Sequence, residues 1–291
     1  MEKLRIELDG FSLAASYSPG GPAALVALVA LHGAGEGTRE SPLLRHLHRL
    51  LPPHGIGVVT FDRRGEGEST GDATRGRFDL QADDALAVLR AIDVERVGLW
   101  GYSQGGWIAP IAAARSDEVA FLVLIASIGV TPSEQMMVAV ERQLRLAGYG
   151  DDVVERALDL RRRFEHWIHE IAPRADEQLD ADLLDAVDEP WAGQLWLPPT
   201  LLDGEGVQLW IEEMDYDPRP TFERVRVPTL SFYGELDSWA PVEASVQAWR
   251  EARGADVELV VIPGAEHDLT LADGSFAPEY ERKLVDWLTG L

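Results

Sequence analysis

Short apolar runs alternate with amphipathic stretches over the first 126 residues of the chain. Leu4 to Leu8 and Phe11 to Tyr17 alternate in hydrophobicity around Asp9-Gly10, the pattern of a β-hairpin. Ala24 to Leu31 is continuously apolar and ends at His32-Gly33, as a strand buried on both faces would. Leu43 to Leu51 has helical spacing and stops at Pro52-Pro53. The same reading gives a strand at Gly57 to Phe61, a helix at Asp79 to Ile92 and a strand at Val97 to Trp100. It then gives a helix at Gln104 to Arg115 and a strand at Val119 to Ala126. Strands that alternate with helices in this way predict a parallel sheet covered on both faces.

The alternation breaks after residue 126. From Thr131 to Phe222 there is no convincing buried strand, only polar helical stretches such as Ser133 to Ala147 and Asp151 to Ile171. Four tryptophans fall there: Trp167, Trp191, Trp196 and Trp210. The alternation resumes with a strand at Pro228 to Tyr233, a helix at Val242 to Ala252, a strand at Val257 to Ile262 and a helix at Glu279 to Leu288. The expected organisation is an α/β core of residues 1–130 and 225–291, interrupted by a helical insertion at 131–224. Insertions between strands are where active-site lids are placed, so a lid is the expectation and a purely structural subdomain the alternative.

Composition narrows the function without naming it. The chain has 291 residues, 46% hydrophobic and 26% charged, which suits a folded soluble enzyme. A net charge of −24 repels polyphosphate, so no nucleic-acid partner is expected. The absence of cysteine rules out disulfides, thiolate catalysis and Cys-based metal sites. The longest apolar run, residues 23–31, is far too short to span a bilayer, and the opening Met1-Glu-Lys-Leu-Arg-Ile has no signal-peptide pattern. A cytoplasmic protein without a membrane partner is expected, and the oligomeric state is left open.

Gly101-Tyr102-Ser103-Gln104-Gly105 fits G-x-S-x-G and stands directly between a strand and a helix. In that setting the serine is lifted out of the sheet on a tight turn, and the helix N-terminus faces developing negative charge. Ser103 is therefore the candidate nucleophile. A serine needs a base of near-neutral pKa, and the order Ser, acid, His that accompanies this turn passes over His32, His46, His48 and His54. His166 and His169 fall inside the insertion, which leaves His267, in a loop after the strand Val257 to Ile262. The acid should also follow a strand, and Asp237 does so 30 positions earlier, with Glu235 as competitor. The oxyanion donors expected are the backbone N–H of Gln104 and one from the Gly-rich loop His32-Gly33-Ala34-Gly35-Glu36-Gly37. Ala34 is favoured there and Gly35 is the alternative. Gly35, Tyr102, Trp107 and Trp239 are candidate substrate contacts.

Five stretches stand in the order found in the α/β-hydrolase superfamily: residues 31–37, residues 61–69, residues 101–110, residues 228–237 and Gly264-Ala-Glu-His267. The chain resembles its prolyl-oligopeptidase-like, dienelactone-hydrolase-like and serine-aminopeptidase-like branches over residues 24–126 and 226–290, while the middle of the chain resembles nothing recognised. The resemblance implies an eight-stranded, mostly parallel sheet and no cofactor. In relatives, the segment carrying Asp62 and Arg64 shapes the active-site floor; the alternative is a solvated charge cluster.

Three further signals carry less. His166-Trp-Ile-His169 has a spacing that could hold zinc, but no further ligand is indicated, so no metal is expected. The insertion tryptophans could line an acyl pocket or form a core. Glu212, Glu213, Asp215 and Asp217 could bind a substrate amine or simply face water. The expected function is hydrolysis of a small carboxylic ester through an acyl-enzyme. Alternatives are a peptidase acting on a short peptide-like substrate, an acyltransferase or perhydrolase using the same residues, and a catalytically inactive binding protein. An Asp at the turn would have pointed to an epoxide hydrolase or dehalogenase, and Ser103 speaks against both.

Overall fold

The computed structural model describes residues 1–22 and 24–291, so Ala23, which opens the apolar run before the third strand, lies outside the described residues. Strand β1 (Glu2–Leu8) turns into β2 (Phe11–Ser18), and β3 (Val26–Leu31), α1 (Pro42–Leu50) and β4 (Ile56–Phe61) follow. Next come α2 (Phe78–Arg90), β5 (Arg96–Tyr102), α3 (Gly105–Ala113) and β6 (Leu122–Ile125). The middle of the chain forms α4 (Pro132–Leu146), α5 (Asp151–His166), α6 (Glu177–Ala186), α7 (Gly204–Met214) and the one-turn α8 (Arg219–Phe222). The chain ends with β7 (Thr229–Gly234), α9 (Val242–Arg253), β8 (Val257–Ile262) and α10 (Pro278–Thr289).

The strands form one eight-stranded sheet in the order β1-β2-β4-β3-β5-β6-β7-β8. The β1–β2 and β2–β4 pairs are antiparallel and the remaining pairs parallel. The expected eight-stranded, mostly parallel sheet is therefore observed. The central strands are mostly apolar because both their faces are covered. Leu28, Ala30, Val58, Trp100, Val123, Ile125, Leu230 and Phe232 form one face, packed by Leu43, Leu44 and Leu47 of α1 and by Tyr280, Leu284 and Leu288 of α10. Helices α2 and α3 contact β3 and β5 without sharing that cluster, so they cover the opposite face.

The chain divides into two compact units. The first is Met1–Gly129, Pro218–Asp237 and Val242–Leu291; the second is Val130–Asp217 with Ser238–Pro241. Phe222 of α8 lies flat on Trp249 of α9, with ring centroids 3.8 Å apart, which ties α8 to the first unit. The second unit has its own apolar core of Val140, Leu144, Val154, Phe164, Trp167, Leu183, Trp191 and their neighbours. Trp167 and Trp191 are thus core side chains, Trp210 packs against that core, and Trp196 is 52% exposed. Helix α4 begins with a capping box, the Thr131 hydroxyl accepting from the Glu134 N–H and the Glu134 carboxylate from the Thr131 N–H. Among the described residues no helix is long and apolar enough to cross a membrane.

Candidate active site

Strand β5 ends at Tyr102, and the next residue, Ser103, has φ of 52°, a left-handed conformation for a residue with a side chain. Such strain persists only where the surroundings over-determine it. Here the Ser103 N–H is fixed to the Ile125 carbonyl at 2.9 Å and its carbonyl accepts from Gly106 at 2.7 Å. The turn is so tight that a side chain at Gly101 would overlap the Gly105 carbonyl oxygen. This is the strand–turn–helix arrangement that raises a hydroxyl above a sheet.

The loop after β3 passes directly beside this turn. A Cβ placed on Gly33 would come 3.4 Å from Ser103 Cβ and 3.1 Å from the Tyr102 ring. Ala34 and Gly35 are exposed in that loop. The loop is anchored by Arg63, a side chain only 2% exposed, which donates to the carbonyls of Gly33 at 2.6 Å and Gly35 at 3.1 Å. Burial and the neighbouring Arg63 guanidinium push His32 down to about 3, so its imidazole is neutral.

At the other end of the site, Asp237 follows β7 and His267 follows β8. His267 Nδ1 stands 2.8 Å from Asp237 Oδ2. The Asp237 side chain is fully buried and the imidazole 13% exposed. A carboxylate partner only accepts, so Nδ1 is the donor of this bond, and in the neutral ring Nε2 is then the acceptor. The imidazole is tilted against the Tyr102 ring at 5.2 Å between centroids, next to Ser103 in the chain. Burial, with the carboxylates of Asp268 and Asp237, raises the Tyr102 phenol above its ordinary range, so it remains protonated.

The competitors have other partners. Glu235 is exposed and accepts the Gly264 N–H at 2.8 Å, pinning the loop that leads to His267. Asp268 accepts from the Thr270 N–H and hydroxyl at 3.1 and 2.6 Å. Trp107 is 4% exposed, donates its indole N–H to the Ile128 carbonyl at 2.7 Å and stacks on Phe78. Trp239 belongs to the second unit, edge-on to Trp196. Gln104 is buried at the start of α3. His169 lies between Glu165 at 3.8 Å and Asp215 at 3.5 Å.

The charged segment after β4 is not a solvated cluster. Asp62, 2% exposed, accepts the N–H groups of Arg39 and Glu68 at 2.8 Å each and also pairs with the Arg39 guanidinium. Arg64 pairs with buried Asp84 and lies 3.7 Å over the Phe11 ring. Sequence reasoning weighed Asp62 and Arg64 and missed Arg63, Glu66 and Gln81. The one available signal was a pair of arginines just after a fully buried strand, where only an inward partner would hold the first of them.

Residues 26–272 match the family model described as the alpha/beta hydrolase fold. The chain belongs to the α/β-hydrolase family. Human serine hydrolase BPHL is 25% identical to this hydrolase over 289 residues, 98% of the chain and 85% of that protein. A 2-hydroxy-6-oxononadienedioate/2-hydroxy-6-oxononatrienedioate hydrolase of Paraburkholderia xenovorans is 23% identical over 270 residues, 90% of the chain and 86% of that protein. Among solved structures, a proline iminopeptidase of Mycobacterium smegmatis superposes with a TM-score of 0.66 at 18% identity, covering 99% of the hydrolase and 98% of that chain. An esterase of Pyrococcus furiosus superposes with a TM-score of 0.66 at 16% identity, covering 99% and 90%. These structures share the fold of the hydrolase.

Proposed function

We propose that the protein hydrolyses carboxylic esters through an acyl-enzyme, with Ser103 as nucleophile, His267 as general base and acid, and Asp237 as the group that orients His267. The observation that carries this reading is the 2.8 Å contact of His267 Nδ1 with the buried Asp237 carboxylate, which leaves Nε2 as the proton acceptor. Ser103 attacks the ester carbonyl as its proton passes to Nε2, forming a tetrahedral oxyanion. The N–H groups of Gln104 and Ala34 stabilise that charge. The intermediate collapses as His267 protonates the departing alkoxide. Water, deprotonated by His267, then attacks the acyl-enzyme, and the acid leaves with Ser103 restored. An ester is the less demanding substrate, because an alkoxide leaves such an intermediate far more readily than an amide anion, so an amide nitrogen must first be protonated.

A fluorophosphonate probe should label Ser103 in the native protein and not in Ser103→Ala. The same variant should hydrolyse p-nitrophenyl acyl esters with kcat lowered by about 10⁴-fold or more while its Tm stays near that of the native protein. Retained turnover in Ser103→Ala would reject the mechanism. A panel of acyl esters against aminoacyl and prolyl anilides separates esterase from peptidase, and product analysis with added alcohol or peroxide separates hydrolysis from acyl transfer.

A further inference from the structure

The N–H of residue 34 has no side chain to aim it; only its peptide plane can. In a planar trans peptide the Gly33 carbonyl and the Ala34 N–H point in opposite directions, so whatever holds the carbonyl aims the N–H. Arg63 Nη2 holds that carbonyl at 2.6 Å, and Nη1 holds the next one but one, Gly35, at 3.1 Å. The Ala34 N–H itself has no hydrogen-bond partner among the described residues.

The guanidinium is itself fixed. Nη1 also donates to Glu66 Oε1 at 2.8 Å and Nε to Gln81 Oε1 at 3.1 Å. The second oxygen of Glu66 accepts the Gly37 N–H at 2.8 Å, and the Arg63 N–H donates to the Gly37 carbonyl at 2.7 Å. The approach leaves no room at residue 37, where a Cβ would come 2.9 Å from Nη1. Gln81 extends the network toward the nucleophile turn, its amide nitrogen 3.5 Å from Gln104 Oε1. One buried cation thus holds the loop that carries Ala34 and, through Gln81, meets the Gln104 side chain.

We propose that Arg63 is a positioning residue for the oxyanion: by gripping the carbonyls of Gly33 and Gly35 it aims the Ala34 N–H at the charge formed on the substrate at Ser103. The inference rests on the serine-hydrolase reading. A carbonyl oxygen in the ground state gains little from a well-aimed donor and the oxyanion gains much, so the effect belongs in kcat. Removal of a whole oxyanion donor costs about 10²–10³-fold. A misaimed donor should cost at least about tenfold, within that limit.

The test compares native protein with Arg63→Met, Arg63→Lys and Glu66→Gln, using a p-nitrophenyl ester and a trifluoromethyl ketone that forms a tetrahedral adduct on serine. Arg63→Met should lower kcat at least tenfold, with KM changed less than threefold, and weaken the ketone by the same factor as kcat/KM; about tenfold is the smallest effect a lost aim predicts. Arg63→Lys should recover part of both losses. Glu66→Gln leaves the arginine in place but loosens it, so a smaller loss should appear in kcat and ketone affinity together, and this variant decides the matter if Arg63→Met does not fold. An unchanged kcat, or a kcat loss without a matching loss of ketone affinity, overturns the proposal while fluorophosphonate labelling of Ser103 keeps the hydrolase reading intact. Failure of native Ser103 to label overturns both.

Discussion

Glu235 and Asp237 leave the end of β7 two positions apart and meet different partners: a backbone N–H of the β8 loop for the first, the imidazole for the second. Asp237→Asn offers Nδ1 an amide in place of a carboxylate, which favours the wrong tautomer. It should lower kcat by about 10⁴-fold with the fold intact. Glu235→Gln keeps an acceptor for Gly264 and should leave kcat near the native value. Steady-state kinetics on both variants check the assignment, and the reverse ranking would transfer the role to Glu235. Ser103, Asp237 and His267 could be picked out as candidates because the chemistry proposed for them needs particular residue types at strand ends, and strand ends are marked by apolar runs. Arg63 could not, since a charged residue after a strand reads equally well as solvated. Its role lies in a backbone contact with residues 30 and 28 positions earlier.

At the scale of elements, α5 shows where an amphipathic pattern misleads. Its polar sequence reads as a solvated helix running to Ile171, but the α-helix stops at His166 and a π turn covers Trp167–Ile171. That wider turn goes with the Ala172 N–H bonding to the Trp167 carbonyl at 2.8 Å and the Trp167 indole to the Arg174 carbonyl at 2.8 Å. Within α5, Arg161 falls in register with Val154, Ala157, Leu158 and Phe164 on the buried stripe, and its side chain is fully buried. Burial pushes the guanidinium down to about 10, so it remains charged at neutral pH. Its Nη1 donates to the carbonyls of Leu195 and Trp196 at 2.8 and 3.1 Å. Arg161→Ala would leave both carbonyls and the Glu165 carboxylate without their cation. It should cost about 3 kcal/mol or more, read as a fall in the urea midpoint. A loss below about 1 kcal/mol would mean that water replaces the cation.

Over the whole molecule, acid should act through three histidines that the fold holds neutral. Burial together with Arg63 pushes His32 down to about 3. Burial with Arg49 pushes His46 to about 4, and burial with the N-terminal amine does the same to His48. Unfolded histidines titrate near about 6.5, so below that pH the unfolded chain binds protons that the folded chain refuses. Stability from these rings is complete above about pH 6.5 and falls as the pH drops toward about 4. Relief of self-repulsion in a chain of net charge −24 works in the opposite direction, so the test is a difference. His48 bridges the Ser18 and Thr60 hydroxyls at 2.8 and 2.9 Å. His48→Gln should therefore lose less stability than the native protein between pH 7 and pH 5 in urea titrations, and parallel losses would refute the account. The sheet itself was legible because strands covered on both faces are dominated by apolar residues, whereas contacts within the helical unit follow from tertiary packing that no local period encodes. The hydroxyl stands just after β5 and the proposed base only after β8, which pairs with β7 alone and is the last strand to be made. A polypeptide interrupted before residue 257 lacks both β8 and His267; on the proposed assignment it holds the serine and the acid without their base, so synthesis itself keeps the unfinished chain silent.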